Sequence, residues 1–223
     1  MELFTTELGL LYLAKWLHYV VGITWIGLLY YFNLVQGEYF KEADGGARVD
    51  VFTKLVPLAL WYFRWAAMFT FITGAIMLYI LGTTATYDVV IGATMGTLMF
   101  LNVWLIIWPN QKVVIASNQQ VAGGGEAMPE AAAAAPKAGL ASRTNTLFSI
   151  PMLFFMGSGA HLTLGAVAIE AAEMVSLIVA LVIIAAIEVN AIVGRQGPMT
   201  SVRGVITSAF VLTAILWGVV RLL

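Results

Sequence analysis

Two histidines, His18 and His161, are the side chains of this 223-residue sequence best suited to chemistry. An imidazole ring transfers protons near neutral pH and is a common metal ligand. Each ring sits in an apolar stretch, KWLHYVVGITW for the first and FFMGSGAHLTLG for the second. A polar ring among apolar side chains costs free energy unless it is hydrogen-bonded or coordinated. Each histidine therefore needs a partner.

The composition indicates that these stretches lie in a membrane. Charged residues make up 10% of the sequence and hydrophobic residues 61%, whereas soluble domains have about 25% charged residues. The absence of cysteine excludes disulfides, iron–sulfur clusters and covalently attached haem c. The lipid bilayer is thus the predicted surrounding, and no nucleic-acid partner is expected.

Six stretches are long and apolar enough to span a bilayer, which takes about 20 residues of helix. They are 8–35, 57–81, 89–108, 147–169, 174–193 and 205–220. The predicted fold class is all-α, a polytopic membrane bundle of about six transmembrane helices. A low-complexity segment rich in Gly, Ala and Pro predicts a flexible cytoplasmic linker over 117–145, between three-helix segments 1–116 and 146–223.

The distribution of charge orients these helices through the positive-inside rule. Three loops carry basic residues, namely Lys41, Arg48, Lys54, Lys112, Lys137, Arg143, Arg195 and Arg203. The N-terminal tail and the other two loops carry acids without Lys or Arg, namely Glu2, Glu7, Asp88, Glu170 and Glu173. Both termini are therefore predicted to be extracytoplasmic, with Arg221 as the exception.

This topology predicts that the two histidines lie at the same depth. His18 is ten residues from the outer end of its helix, and His161 is nine residues from the outer end of its own. At 1.5 Å per residue, both rings are about 14 Å from the outer ends. Facing helices of a bundle often hold a haem between two histidines.

Neighbouring residues fit such a ligand. Gly22 and Gly157 lie one turn inward of the histidines and leave room for a flat ring, and Lys15 is placed to meet a haem propionate. The leading hypothesis is haem b ligated by His18 and His161 in the outer leaflet, working in electron transfer because bis-histidine iron has no open position. Two alternatives remain: each histidine bonds a neighbouring helix, or, less favoured, the site holds copper.

Polar residues also cluster at the predicted cytoplasmic helix ends, namely Asn33, Gln36, Asn110, Gln111, Arg143 and Asn145. They cap and bond helix ends, or they form a docking site for a quinone, a substrate or a partner subunit. On a helical wheel, one face that should point into the bundle carries Lys15, His18, Gly22, Trp25, Leu29, Asn33 and Gln36. Two charges inside predicted helices, Arg64 and Glu188, are expected to pair.

Three blocks carry a family resemblance: KWLHYVVGITWIGLLYYFNLVQ, NVWLIIWPNQK and SRTNTLFSIPMLFFMGSGAH. They resemble the N-terminal membrane domain of bacterial membrane-bound urate oxidases (urate hydroxylases). Helix 1 is also similar to that of HemJ-type protoporphyrinogen oxidases, which implies haem on His18. The first resemblance implies urate oxidation in the bacterial inner membrane, with electrons passed to a cytochrome c.

The sequence departs from this family by ending at Leu223 without the cytochrome c domain of the urate-oxidising members. Electrons would then need a separate partner, such as a cytochrome c or a quinone. Three functions remain open. They are a haem b electron-transfer protein, a membrane urate (purine) oxidase domain, and an accessory subunit of a respiratory or photosynthetic complex.

Overall fold

The computed structural model describes residues 2–162 and 171–223, and in these residues the chain is helical without β-strands. Its α-helices are α1 (Glu2–Thr5), α2 (Glu7–Tyr30), α3 (Gly37–Glu42), α4 (Gly45–Lys54), α5 (Val56–Leu81), α6 (Tyr87–Leu101), α7 (Trp108–Ala122), α8 (Pro129–His161), α9 (Ala171–Val193) and α10 (Val202–Leu222). Two π-helical segments, Tyr31–Gln36 and Asn102–Ile107, join α2 to α3 and α6 to α7 without a break.

Five helical stretches of the described residues are long and apolar enough to cross a membrane. They are Glu7–Glu42, Val56–Thr84, Tyr87–Ala122, Met174–Val193 and Val202–Leu222. These stretches confirm the all-α membrane fold. The remaining predicted span, 147–169, begins within α8 and runs into 163–170, which lie outside the described residues. That sixth span and the orientation of the termini stay predictions.

The segment predicted as a flexible linker, 117–145, is mostly helix. It comprises the end of α7, a turn, and the first half of α8. Ala134, Ala138 and Ala141 are buried there, so the prediction of a flexible segment is corrected. Alanine has the highest helix propensity, and its small side chain lets helices pack closely. The linker prediction considered only that alanines cannot build a large hydrophobic core.

The third predicted span, 89–108, continues as helix beyond its predicted end at Trp108. The π-helical segment Asn102–Ile107 leads directly into α7, where Pro109 occupies the first turn. Pro109 stands where the continuous helix passes from π-helical to α-helical hydrogen bonding, so its missing N–H falls where the regular pairing already changes. Pro57 occupies the first turn of α5, which confirms the predicted start of that helix.

The helices pack in two main pairs, α2 with α5 and α6 with α8, while α9 and α10 pack beside α8. Gly92 allows the close approach of α6 to α8. A Cβ built on Gly92 would lie 3.1 Å from the backbone nitrogen of Met156 and 3.3 Å from the carbonyl oxygen of Met152. Small residues at such contacts let membrane helices gain van der Waals packing.

We predict that Gly92→Leu destabilises the bundle, whereas Gly27→Leu does not. A Cβ at Gly27 meets no atom within 4 Å, so this substitution adds apolar surface without a clash. Overpacking at Gly92 should cost about 1–3 kcal/mol. Unfolding of both variants in detergent by denaturant titration checks the difference, and equal stabilities would contradict the assigned helix contact.

Candidate functional site

His18 lies on α2 and faces α5. Its Nδ1 atom is 3.0 Å from the hydroxyl oxygen of Thr73, and the ring is half-buried. A Cβ on Gly74 would lie 3.3 Å from Cε1 of this ring, so glycine lets the imidazole rest against the α5 backbone. A Cβ on Gly22, one turn along α2, would meet no atom within 4 Å in the part of the chain that the structure describes. His18 thus has a protein partner on one side and open space beside it.

His161 is the last residue of α8 and is exposed. The preceding turn of α8 packs against the start of α6, where Ser158 donates to the Asp88 carboxylate at 2.7 Å. Gly159 fits closely there, because an added Cβ would lie 2.6 Å from the hydroxyl oxygen of Thr86. A Cβ added to Gly157 meets no atom of the described residues within 4 Å. His161 therefore lies one turn beyond a tight contact with α6.

These neighbours place the two histidines at different depths. Thr73, the partner of His18, is eight residues from the end of α5 at Leu81, which is about 12 Å along the helix. Ser158, three residues before His161, bonds Asp88 in the first turn of α6. A short connection joins α5 to α6, so the start of α6 lies close to the end of α5. The equal depth that the sequence predicts is not found. Lys15, one turn outward of His18, is exposed.

At the same end of the bundle, Asp88 also accepts a hydrogen bond from Arg221 at 2.8 Å, in an ion pair whose carboxylate is buried. The sequence interpretation treated Arg221 only as an exception to the charge rule. Its pairing accounts for the exception, because the charge of a paired arginine is compensated inside the protein. Ser158, Asp88 and Arg221 together fasten α8, α6 and α10 to one another.

A second polar network lies among α6, α8 and α9. Asn102 Nδ2 donates to Asn145 Oδ1 at 3.0 Å and to Glu188 Oε2 at 3.1 Å, and Asn145 Nδ2 donates to the Met99 carbonyl at 2.9 Å. Asn102 and Asn145 are buried. The Oδ1 atom of Asn102 is buried and has no hydrogen-bond partner among the described residues. The sequence interpretation missed Asn102, although a polar amide within an apolar stretch was the available signal.

On the other side of α8, residues of α2 and its π-helical segment bond the same helix. Asn33 Nδ2 donates to the Ser142 hydroxyl at 2.8 Å and to the Leu29 carbonyl at 2.9 Å. The Tyr30 and Ser149 hydroxyls are 2.9 Å apart. Each π-helical segment is thus tied to α8 by an asparagine. Burial of Trp25, Leu29, Asn33 and Gln36 confirms that the later part of this face of helix 1 points into the bundle, whereas Lys15 at its beginning is exposed.

The remaining predicted residues of the cytoplasmic cluster do not form one network in the described residues. Asn110 bonds the Ile106 carbonyl of its own helix at 2.7 Å. Gln36, Gln111 and Arg143 each have a buried polar side-chain atom without a partner in residues 2–162 and 171–223. Burial lowers the pKa of Arg143 from its ordinary value, and the Glu38 carboxylate opposes that shift. Unpaired buried donors and acceptors are costly, so these atoms mark places where water or a ligand would bind.

The predicted pairing of Arg64 with Glu188 is wrong. The Arg64 guanidinium lies over the Trp108 ring, 3.8 Å from its centroid, and Glu188 is bonded to Asn102. None of the ion pairs among the described residues joins the two charges. The aromatic face attracts the cation electrostatically, although Arg64 Nε is buried without a hydrogen-bond partner among the described residues. A prediction that considers only opposite charges does not include such an aromatic partner.

We predict that Asn145→Leu destabilises the bundle more than Asn110→Leu. The first substitution frees the Met99 carbonyl and one amide hydrogen of Asn102 inside the protein, whereas Asn110 bonds only its own helix. At about 0.6–2 kcal/mol for each membrane hydrogen bond, the loss of two bonds at position 145 should be about 1–4 kcal/mol. Thermal unfolding of both variants in the same detergent measures it. A smaller effect at position 145 than at 110 would contradict the network.

Comparison with protein families gives a match to the family described as urate oxidase N-terminal over residues 80–219. The matched range contains the blocks NVWLIIWPNQK and SRTNTLFSIPMLFFMGSGAH, while the block around His18 precedes it. No curated protein and no solved structure matches the chain.

Proposed function

Because the chain belongs to the urate oxidase N-terminal family, we propose that it is the membrane domain of a urate-oxidising system. The family match over residues 80–219 carries this proposal, and it agrees with the resemblance seen in the sequence. Apolar helices long enough to span a membrane support the assignment to an integral membrane protein. We further propose that this membrane is the bacterial inner membrane.

The polar network of Asn102, Asn145 and Glu188 is the part of the matched range that we propose to serve the reaction. Polar and ionisable groups inside a membrane domain are costly and usually line a substrate or proton path. Oxidation of urate releases electrons and protons, and the Glu188 carboxylate is placed within this network to take up a proton. A cytochrome c or a quinone is the proposed electron acceptor.

Membranes containing the chain test this function when they are supplied with urate and either cytochrome c or a quinone. We expect urate to disappear as the acceptor is reduced, at a rate that depends on the chain. Membranes that reduce neither acceptor with urate would contradict the proposal. Stable co-purification with a larger complex in the absence of redox activity would support the third function, an accessory subunit.

Glu188→Gln should slow urate-dependent reduction of the acceptor by at least about tenfold, since general acid–base groups typically contribute 10²–10⁴-fold. Glutamine keeps the shape of the side chain but does not exchange a proton. Glu130→Gln is the matched control, because Glu130 is exposed in the first turn of α8. A rate equal to that of the parent chain would remove Glu188 from the proton path.

A second candidate function is electron transfer through haem b, which His18 supports better than His161. The open space at Gly22 beside the His18 ring leaves room for a flat group, whereas the different depths do not support a single haem between both histidines. When bound, haem supplies one-electron redox chemistry. In this chain His18 would ligate it, and exposed Lys15 would lie one turn from the ring.

Absorption spectra separate the roles of the two histidines. We expect the purified chain to show Soret and α bands that His18→Ala abolishes or shifts, while His161→Ala leaves them unchanged. Equal loss in both variants would restore the bis-histidine hypothesis. A preparation that stays colourless after haem reconstitution would end the haem proposal without affecting the urate proposal.

A further inference from the structure

We infer that Thr73 is a positioning residue that holds His18 in the tautomer with its hydrogen on Nδ1, which leaves Nε2 as the basic nitrogen. The relevant geometry is the 3.0 Å contact between Nδ1 and the Thr73 hydroxyl oxygen. The tautomer is a property of the protein alone. Its use as a haem ligand rests on the second candidate function.

The hydroxyl of Thr73 has a single hydrogen, and that hydrogen is already engaged. The hydroxyl oxygen lies 2.7 Å from the Phe69 carbonyl oxygen and 3.0 Å from the Thr70 carbonyl oxygen, both within its own helix. Two oxygen atoms only 2.7 Å apart repel one another unless a hydrogen lies between them, so we assign the hydroxyl hydrogen to the Phe69 carbonyl. Toward His18 the same oxygen therefore accepts, and Nδ1 carries the hydrogen.

A neighbouring carbonyl favours the same tautomer. The Thr70 carbonyl oxygen lies 3.0 Å from the Thr73 hydroxyl oxygen, to which Nδ1 is adjacent. An N–H at Nδ1 donates to the hydroxyl oxygen in this electronegative surrounding, whereas a bare Nδ1 lone pair would face an oxygen lone pair. Electrostatics on α5 thus select one tautomer.

The shape of the site keeps the ring in this position. Gly74 lies against the imidazole, with an added Cβ only 3.3 Å from Cε1 and 3.7 Å from Nδ1. A larger residue would push the ring away from Thr73. Since Nδ1 faces α5, the Nε2 atom across the ring is directed away from it. The neutral Nε2 lone pair is therefore the atom presented to a ligand.

This arrangement prepares Nε2 to bind a metal centre. A histidine that ligates through one nitrogen usually donates its other N–H to an oxygen, which fixes the ring and raises the basicity of the ligating atom. Loss of such a partner typically weakens metal binding by about 10–100-fold. Thr73 is placed to act through His18 in this way and does not itself touch the bound group.

Nuclear magnetic resonance of the chain in lipid vesicles, with ¹⁵N-labelled histidine, tests the tautomer directly. The sequence has two histidines, so in the His161→Asn variant the remaining histidine signals all come from His18. At a pH above the titration of the ring, we expect one protonated nitrogen assigned to Nδ1 and one unprotonated nitrogen assigned to Nε2. An Nε2–H tautomer in this protein would overturn the inference.

Variants of Thr73 establish its role. Thr73→Val should give a mixture of both tautomers, and Thr73→Ser should restore the single tautomer because it keeps the hydroxyl. Thr70→Val is the matched control, since the Thr70 hydroxyl bonds the Ala66 carbonyl at 2.7 Å. An unchanged tautomer in Thr73→Val would remove the positioning role.

Titration with ferric haem b adds a readout for the ligand. We expect Thr73→Val to weaken haem binding by about 10–100-fold and Thr70→Val to leave it unchanged. Absence of haem binding in every chain, with the tautomer as expected, would contradict the haem function and leave the tautomer inference intact. Haem binding that is equal in the Thr73→Val and parent chains would contradict the positioning role.

Discussion

Inside a bilayer, a polar group without a hydrogen-bond partner in the protein is costly. The α8 helix supplies partners to four such groups, Tyr30, Asn33, Asn102 and Asp88. Two π-helical segments, Tyr31–Gln36 and Asn102–Ile107, disturb the regular backbone pairing of the helices that flank α8. An asparagine amide bonds a carbonyl in the turn before each segment, the Leu29 carbonyl in one case and the Met99 carbonyl in the other. The second of these amides comes from α8 itself. π-helical segments often occur at functional sites. This supports the proposal that Asn102, Asn145 and Glu188 serve the reaction in addition to holding the helices together.

The sequence predicts the membrane class and most helices because these follow from apolar length alone. It does not predict that the third span continues beyond Trp108, because Pro109 normally indicates a helix end. The π-helical segment Asn102–Ile107, which precedes this proline, is not evident from the sequence. The alanine-rich segment before Ser142 is ambiguous for a related reason. Alanine is equally compatible with a linker and with a closely packed helix, and only the neighbouring surfaces, against which Ala138 and Ala141 are buried, decide between them.

In the candidate sites too, features that depend on neighbouring residues in the sequence are predicted, and features that depend on packing between distant segments are not. The inward face of helix 1 follows from helical periodicity, and the structure confirms it at Trp25 and Asn33. The partners of the charged groups depend on packing between distant segments. Arg64 contacts the Trp108 ring, and Glu188 accepts a hydrogen bond from Asn102. The depth of His161 depends on where α8 meets α6, which is fixed by the Ser158–Asp88 contact and not by hydropathy.

The α2 helix connects the two regions that could do chemistry. His18 lies in its outer half by the predicted topology, and Asn33 lies fifteen residues further along the same continuous helix, which corresponds to about 22 Å. A molecule the size of a purine cannot contact both places. Between them, Trp25 and Leu29 are buried in the core, so the outer and inner regions are separated by packed side chains. A substrate bound by the inner polar groups and an electron carrier bound at His18 would therefore occupy separate sites, joined by electron transfer through the protein and not by a shared cavity.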